Sequence, residues 1–220
     1  MDHSFDKSYW DEHWQGDRAG APAAMAAGPP NPHLIREVTD LTPGTALDAG
    51  CGAGAEAIWL ASRGWQVTGA DIAAEALARA AERAATAGVA DRVQWVEADL
   101  SSWAPGAAYD LVTTHYAHPA MPQLDFYDRI AAWVAPGGTL LIVGHLHDDD
   151  HHHENDHGHR HGADAAEPPA SASVRAADIA GRLDPAAWEV ATAEESHRDR
   201  STHGGGVPLH DVVVRATRRP

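Results

Sequence analysis

The chain has 220 residues, 44% of them hydrophobic, and 32 acidic side chains against 16 basic ones give a formal charge of −16. That length suits one domain with a real core, and that charge argues against a nucleic-acid groove, which needs clustered Lys and Arg. No apolar run reaches the roughly 18 residues that span a membrane and no leader opens the chain, so we expect a cytoplasmic monomer or homodimer with a small-molecule partner, no nucleic acid and no membrane.

Residues 4–16 hold Phe5, Tyr9, Trp10, His13 and Trp14. Tyr9/His13 and Trp10/Trp14 are spaced i,i+4, so a short helix brings each pair together. Residues 19–32 are rich in Ala, Pro and Gly and read as a linker. Asn31-Pro32 opens the next helix, with Asn as cap and Pro in the first turn. It carries Leu34, Val38 and Leu41 on one face, and Pro43-Gly44 ends it. An alternation follows: strand 45–49, helix 54–63, strand 65–70, helix 74–87, strand 92–97, strand 109–114, helix 121–134 and strand 139–144. Strand–helix alternation predicts a parallel sheet with helices on both faces and ligands at the carboxyl ends of the strands. A helix at 174–183 and strands at 187–193 and 207–216 complete the pattern. The last two strands are joined by a turn at Gly204-Gly205-Gly206 and should pair antiparallel. The expected fold is a doubly wound, mostly parallel seven-stranded α/β sheet with an antiparallel last strand. The chain divides into an aromatic cap over 1–43 and a main domain over 44–220, with an insert at 145–173.

The run Leu47-Asp48-Ala49-Gly50-Cys51-Gly52-Ala53-Gly54 ends the first strand. Three glycines let backbone approach a ligand closely, and the helix start behind them offers free N–H groups. Gly50, Gly52 and Ala55 fit the dinucleotide fingerprint, and Asp71 lies about 20 residues on, where a ribose-binding acid belongs. Those features leave an NAD-dependent oxidoreductase open. Asp48 tips the choice: an acid near the end of a buried strand is costly unless it meets a partner, and an ammonium suits it. S-adenosylmethionine (SAM) carries one on its aminoacyl end; NAD carries none. Cys51 has no second cysteine to pair with, which fits a reducing compartment and a small residue packed in the turn.

The chain here resembles the Rossmann-like, class I SAM-dependent methyltransferases. Asp48-x-Gly50-x-Gly52-x-Gly54 is similar to their first motif. The resemblance implies that Asp48, Gly50, Cys51, Gly52 and Gly54 surround the methionine end, that Asp71 and Ile72 hold the ribose side, and that Asp99 and Leu100 meet the adenine. Tyr109-Asp110-Leu111-Val112 looks like the fourth strand, and Pro136-Gly137-Gly138 like the turn into the fifth. The aromatic cap, with Asn31-Pro32-x-Leu34, is similar to the small-molecule branch near the tellurite-resistance and thiopurine methyltransferases. That implies a methyl acceptor with a nitrogen, sulfur or oxygen nucleophile on a small, heteroaromatic metabolite.

Methyl transfer from a sulfonium needs positioning and water exclusion above all. A base is needed only where the acceptor carries its proton. His115, after the fourth strand, is the candidate base and a cofactor neighbour, because an imidazole ordinarily titrates near 6.5. Tyr116 and His118 are candidates to hold the acceptor. Tyr9, Trp10, His13, Trp14 and His145 are candidates for its cover. Beyond His145 the insert carries His147, His151, His152, His153, His157, His159 and His161 among acids. Imidazoles with carboxylates bind divalent Zn, Ni or Cu, though the same acids favour the competing imidazolium. The insert also keeps open a metal-handling protein on a methyltransferase-like fold.

Overall fold

The computed structural model describes residues 6–15, 28–146, 173–199 and 208–220. Seven strands form one sheet in the order β3-β2-β1-β4-β5-β7-β6. They are β1 (Thr45–Ala49), β2 (Gln66–Asp71), β3 (Val93–Glu97), β4 (Tyr109–His115), β5 (Val134–His145), β6 (Trp188–Asp199) and β7 (Pro208–Arg218). β1 to β5 run parallel, and β7 is antiparallel to both of its neighbours. The helices are α1 (Lys7–Gln15), α2 (Pro32–Val38), α3 (Ala55–Ser62), α4 (Ala74–Thr86), α5 (Gln123–Ala131) and α6 (Ala176–Gly181). No helix among the described residues is long and apolar enough to cross a membrane.

Period-two alternation sorts the strands onto two layers. Leu47, Val112, Leu140, Ile142 and Val214 face α5 and α6 and pack on Phe126, Ile130 and Ile179. Ala46, Leu111, Leu141, Val143 and Val213 face the other way, onto Leu34 and Val38 of α2 and Leu60 of α3. Each fully buried chain of this size contributes roughly 1.5–3 kcal/mol. α4 presents Ala76, Leu77, Ala80 and Ala84 to the core, a helical spacing on an otherwise polar helix.

Several boundaries differ from expectation, three of them for a visible reason. α2 stops at Val38, before Leu41, where the Thr39 hydroxyl takes the Ile35 carbonyl. Leu41 is left half-buried in the turn. β5 begins at Val134, because Pro136-Gly137-Gly138 forms an irregularity within the strand: Val134 pairs with Tyr109, and the register resumes at Thr139 opposite Leu111. β6 runs on past residue 193 to Asp199, because its partner β7 is long enough to pair its whole length. The strand order reverses between β1 and β4, the place where open α/β sheets hold their ligands.

Candidate active site

The chain leaves β1 through the glycine turn. Gly50 and Cys51 both donate their N–H to the Ala70 carbonyl, at 2.8 and 3.1 Å, which ties the turn to β2. Gly50, Gly52 and Gly54 have φ of +79, +50 and +76°. A Cβ on Gly50 would lie 2.4 Å from the Ala117 Cβ, and one on Gly54 2.6 Å from the Trp95 ring. Glycine is therefore required twice over, by conformation and by space. Burial pushes the Cys51 thiol well above its usual range, and Asp71 and Asp48 push the same way. Such a thiol is inert packing.

Asp71 closes the turn from the other side. Its Oδ2 accepts from the Gly52 N–H at 2.8 Å and its Oδ1 from the Ala73 N–H at 2.9 Å. Burial raises its carboxyl above the usual range, and these N–H bonds oppose the rise. A carboxylate has about four acceptor positions, so two backbone bonds leave capacity for ribose hydroxyls. Asp99 lies beyond β3, its Oδ1 held by the Ser101 hydroxyl and N–H at 2.7 and 2.9 Å. Those bonds hold its carboxyl below the usual range. Leu100 is buried in the core beside it.

α1 lies across this region. Trp14 is buried against Ala53, Ala73 and Ala76, and its ring is 3.3 Å from where a Gly52 Cβ would stand. Arg79 donates to the Trp14 carbonyl at 3.0 Å. Lys7 Nζ reaches the Ile72 carbonyl at 3.1 Å and Glu97 Oε1 at 2.9 Å. Trp10 packs partly against the same cluster, and Tyr9 meets Trp10 edge-on at 5.1 Å. The helix α1 thus sits on the glycine turn and the end of β2. The side chain of His13 lies outside the described residues.

The other wall is built at the ends of β4, β5 and β7. His115 Nδ1 is 3.9 Å from Asp48 Oδ1, and their side chains are 5% and 1% exposed. Asp48 Oδ2, both ring nitrogens of His115 and the Thr113 hydroxyl have no hydrogen-bond partner among the described residues. Thr113 stands opposite Asp48 in the β1–β4 register. Burial raises the Asp48 carboxyl above its usual range, and His115 opposes that rise.

Tyr116 has φ +56°, the only positive value at a non-glycine among the described residues. Its hydroxyl donates to Asp211 Oδ1 at 2.9 Å and accepts from Asn31 Nδ2 at 3.1 Å. Its ring stacks on His145 at 4.1 Å. His118 lies 6.2 Å from His145, ring to ring, and its Nδ1 is 3.4 Å from Gln123 Oε1. Burial lowers the pKa of His118, so it is neutral over most of the physiological range. Asp211, fully buried on β7, also faces His33 Nε2 at 3.2 Å. Asn31 caps α2 by accepting the His33 N–H, as its position before Pro32 predicts.

Asp48, Asp71, His115 and His145 therefore lie at the carboxyl ends of β1, β2, β4 and β5, with Tyr116 and His118 just beyond β4 and the glycine turn beside Asp48 and Asp71. Sequence reasoning missed Asp211, His33 and the bond from Asn31 to Tyr116. Asp211 had a signal, since it is the lone acid in a strand that continues Val212-Val213-Val214. The expected metal ligands His147, His151, His152, His153, His157, His159 and His161 lie outside the described residues, as does the Gly204–Gly206 turn. Among the described residues no group of three or more His, Cys, Asp or Glu is placed to hold a metal ion.

The donor set fits a cofactor with a ribose and an ammonium. A buried carboxylate oxygen left unpaired costs roughly 1–3 kcal/mol or more, and a ligand N–H removes that cost. Asp48 Oδ2 is such an oxygen, next to a turn that a Cβ would fill.

Residues 46–138 match the family model described as "Methyltransferase domain". A ribosomal RNA small subunit methyltransferase C of Alcanivorax borkumensis is 36% identical over 106 residues, 46% of this chain and 32% of that protein. A probable thiol methyltransferase 2 of Arabidopsis thaliana is 30% identical over 141 residues, 61% of this chain and 60% of that protein. The chain thus spans about a third of the first relative's length and three fifths of the second's. In fold, it is similar to the structure reported under "Conversion of a Disulfide Bond into a Thioacetal Group during Echinomycin Biosynthesis", with a TM-score of 0.68, 20% identity and coverage of 97% of this chain and 91% of that one.

Proposed function

We propose that the chain, whose residues 46–138 match the methyltransferase domain model, is a SAM-dependent methyltransferase acting on a small, heteroaromatic metabolite through its nitrogen, sulfur or oxygen. The observation that carries the cofactor is the unpartnered, buried Asp48 Oδ2 beside a glycine turn tied to Asp71. Asp48 and Gly50 take the methionine end, Asp71 with Ile72 the ribose, and Asp99 with Leu100 the adenine. When bound, SAM supplies an electrophilic methyl carbon. The protein's part is to align the acceptor, exclude water and receive a proton. Trp14 on the glycine turn shields the cofactor side, and the Tyr116–His145 stack offers a flat wall to a planar acceptor. His115 is the base: neither of its buried ring nitrogens has a hydrogen-bond partner among the described residues, and only Nδ1 faces Asp48. The Tyr116 hydroxyl proton is engaged by Asp211, so Tyr116 acts as wall and support.

A small acceptor is favoured over RNA, despite the name of one relative, because a net charge of −16 repels a phosphate backbone. We further propose a cytoplasmic setting, a monomer or homodimer, and a histidine-rich insert that binds a divalent metal near the acceptor. The test is calorimetric titration of SAM and S-adenosylhomocysteine into metal-stripped protein, repeated with zinc, nickel or copper. Micromolar binding without metal is the expected result. Binding that appears only with metal would place His147–His161 in the site. Tight NADH binding with no SAM binding would replace the reading with an oxidoreductase. Asp71→Ala should weaken S-adenosylhomocysteine by about 1–3 kcal/mol, the worth of a hydrogen bond to a charged group. An unchanged affinity would remove Asp71 from the site.

A further inference from the structure

Asp48 has two oxygens in two situations. Oδ1 faces His115 Nδ1 across 3.9 Å. Oδ2 has no hydrogen-bond partner among the described residues. Among the described residues these are the one buried carboxylate and the one buried imidazole with unpartnered atoms. Of the titratable groups on the neighbouring elements, Glu56 repels Asp48 and adds to burial in pushing its carboxyl up, and each has a partner of its own. Glu56 on α3 accepts from the Asn31 N–H at 3.0 Å. Asp211 on β7 holds Tyr116 and His33. Glu37 on α2 meets Arg36, Thr192 and Arg215. His145 on β5 stacks on Tyr116, and His118 meets Gln123.

We propose that Asp48 is shared between His115 and the ammonium of the cofactor's aminoacyl end, so that protonation of His115 and cofactor binding oppose each other. This rests on the SAM reading above. One buried carboxylate balances one positive charge well and two badly, because like charges in a low-dielectric site repel strongly. In the empty site a proton carried by the His115 ring would face Asp48 Oδ1 across 3.9 Å. Asp48 would hold the cofactor's ammonium in place of that proton, which would leave His115 for solvent. The loaded protein therefore holds His115 neutral, the form that can accept a proton. During transfer the acceptor's X–H bond gives its proton to His115, the X–C bond forms, and the electron pair of the broken C–S bond stays on sulfur. The acceptor class follows: a group that keeps its proton at neutral pH, such as a ring N–H or an aromatic hydroxyl. A thiol that is already ionised needs no such device.

The experiment is calorimetry on the full chain across pH 7 to 5 with two probes. S-adenosylhomocysteine carries the ammonium; 5′-methylthioadenosine lacks the aminoacyl end. The dissociation constant of the first should rise as pH falls, by at most about tenfold per pH unit, the limit for one linked proton. It should release a proton on binding, read from buffers of different ionisation enthalpy. The second should bind with a flat profile. His115→Gln should flatten the first. Dependence that survives His115→Gln belongs to the protonation of Asp48 itself and overturns the proposal. Equal slopes for the two probes in the unaltered protein overturn it too, should the variant fail to fold. Binding of neither probe at any pH overturns the cofactor reading, and this inference with it.

Discussion

Asp211→Ala should destabilise the protein by about 3–5 kcal/mol, the usual cost of removing one member of a buried, hydrogen-bonded charge cluster. Asp211 is fully buried on β7, between strand neighbours that are all valine on its carboxyl side. Its two oxygens hold the Tyr116 hydroxyl at 2.9 Å and His33 Nε2 at 3.2 Å. Alanine there leaves both groups buried against a void. Tyr116 suffers further. At φ +56° its backbone is in a region that costs a bulky residue roughly 1–2 kcal/mol, and the bonds at its hydroxyl help to keep it there. With them gone, the residue can relax and carry the Tyr116–His145 wall with it. At about 2–4 °C per kcal/mol for a chain of this size, the midpoint of thermal unfolding should fall by roughly 6 °C or more. Asp211→Asn keeps an acceptor and should cost less. Equal midpoints for the original protein and Asp211→Ala would show that the cluster contributes no stability.

That cluster also marks where the sequence could be read and where it could not. The β1 turn was legible because local constraints dictate it: three glycines at alternate positions, all with positive φ, after a short buried strand. Asp48 and Asp71 were legible for the same reason, since each ends a strand beside that turn. The cap at Asn31 rests on the Asn-Pro pair alone and appears as expected. The Asp211–Tyr116–Asn31–His33 cluster joins positions up to 178 residues apart. No spacing rule reaches that far. The partner of Asp211 depends on β7 lying against β5, which a local pattern does not specify. Trp14 teaches the same lesson. Its i,i+4 relation to Trp10 predicts a shared surface, but its seat on the glycine turn depends on how α1 docks against α4.

Gly50→Ala should weaken S-adenosylhomocysteine by about 2–5 kcal/mol, roughly 30- to 5,000-fold. Two separate terms add. An alanine at φ +79° costs about 1–2 kcal/mol through its own Cβ and carbonyl. The new methyl would also stand 2.4 Å from the Ala117 Cβ, which is beyond any tolerable contact. Forcing an extra carbon into a packed site costs typically 1–3 kcal/mol. The turn can escape both by shifting, but the two N–H bonds to the Ala70 carbonyl resist, and the shifted turn no longer presents its backbone at the methionine end. Restoring that geometry on binding returns the strain as lost affinity. Adding Ala117→Gly removes the collision and leaves the backbone strain, so the double variant should recover about the steric share of the loss and no more. Titration of the single and double variants separates the terms. Should Gly50→Ala bind S-adenosylhomocysteine as tightly as the original protein, the glycine turn is not the cofactor's cradle, and the role given to Asp48 goes with it.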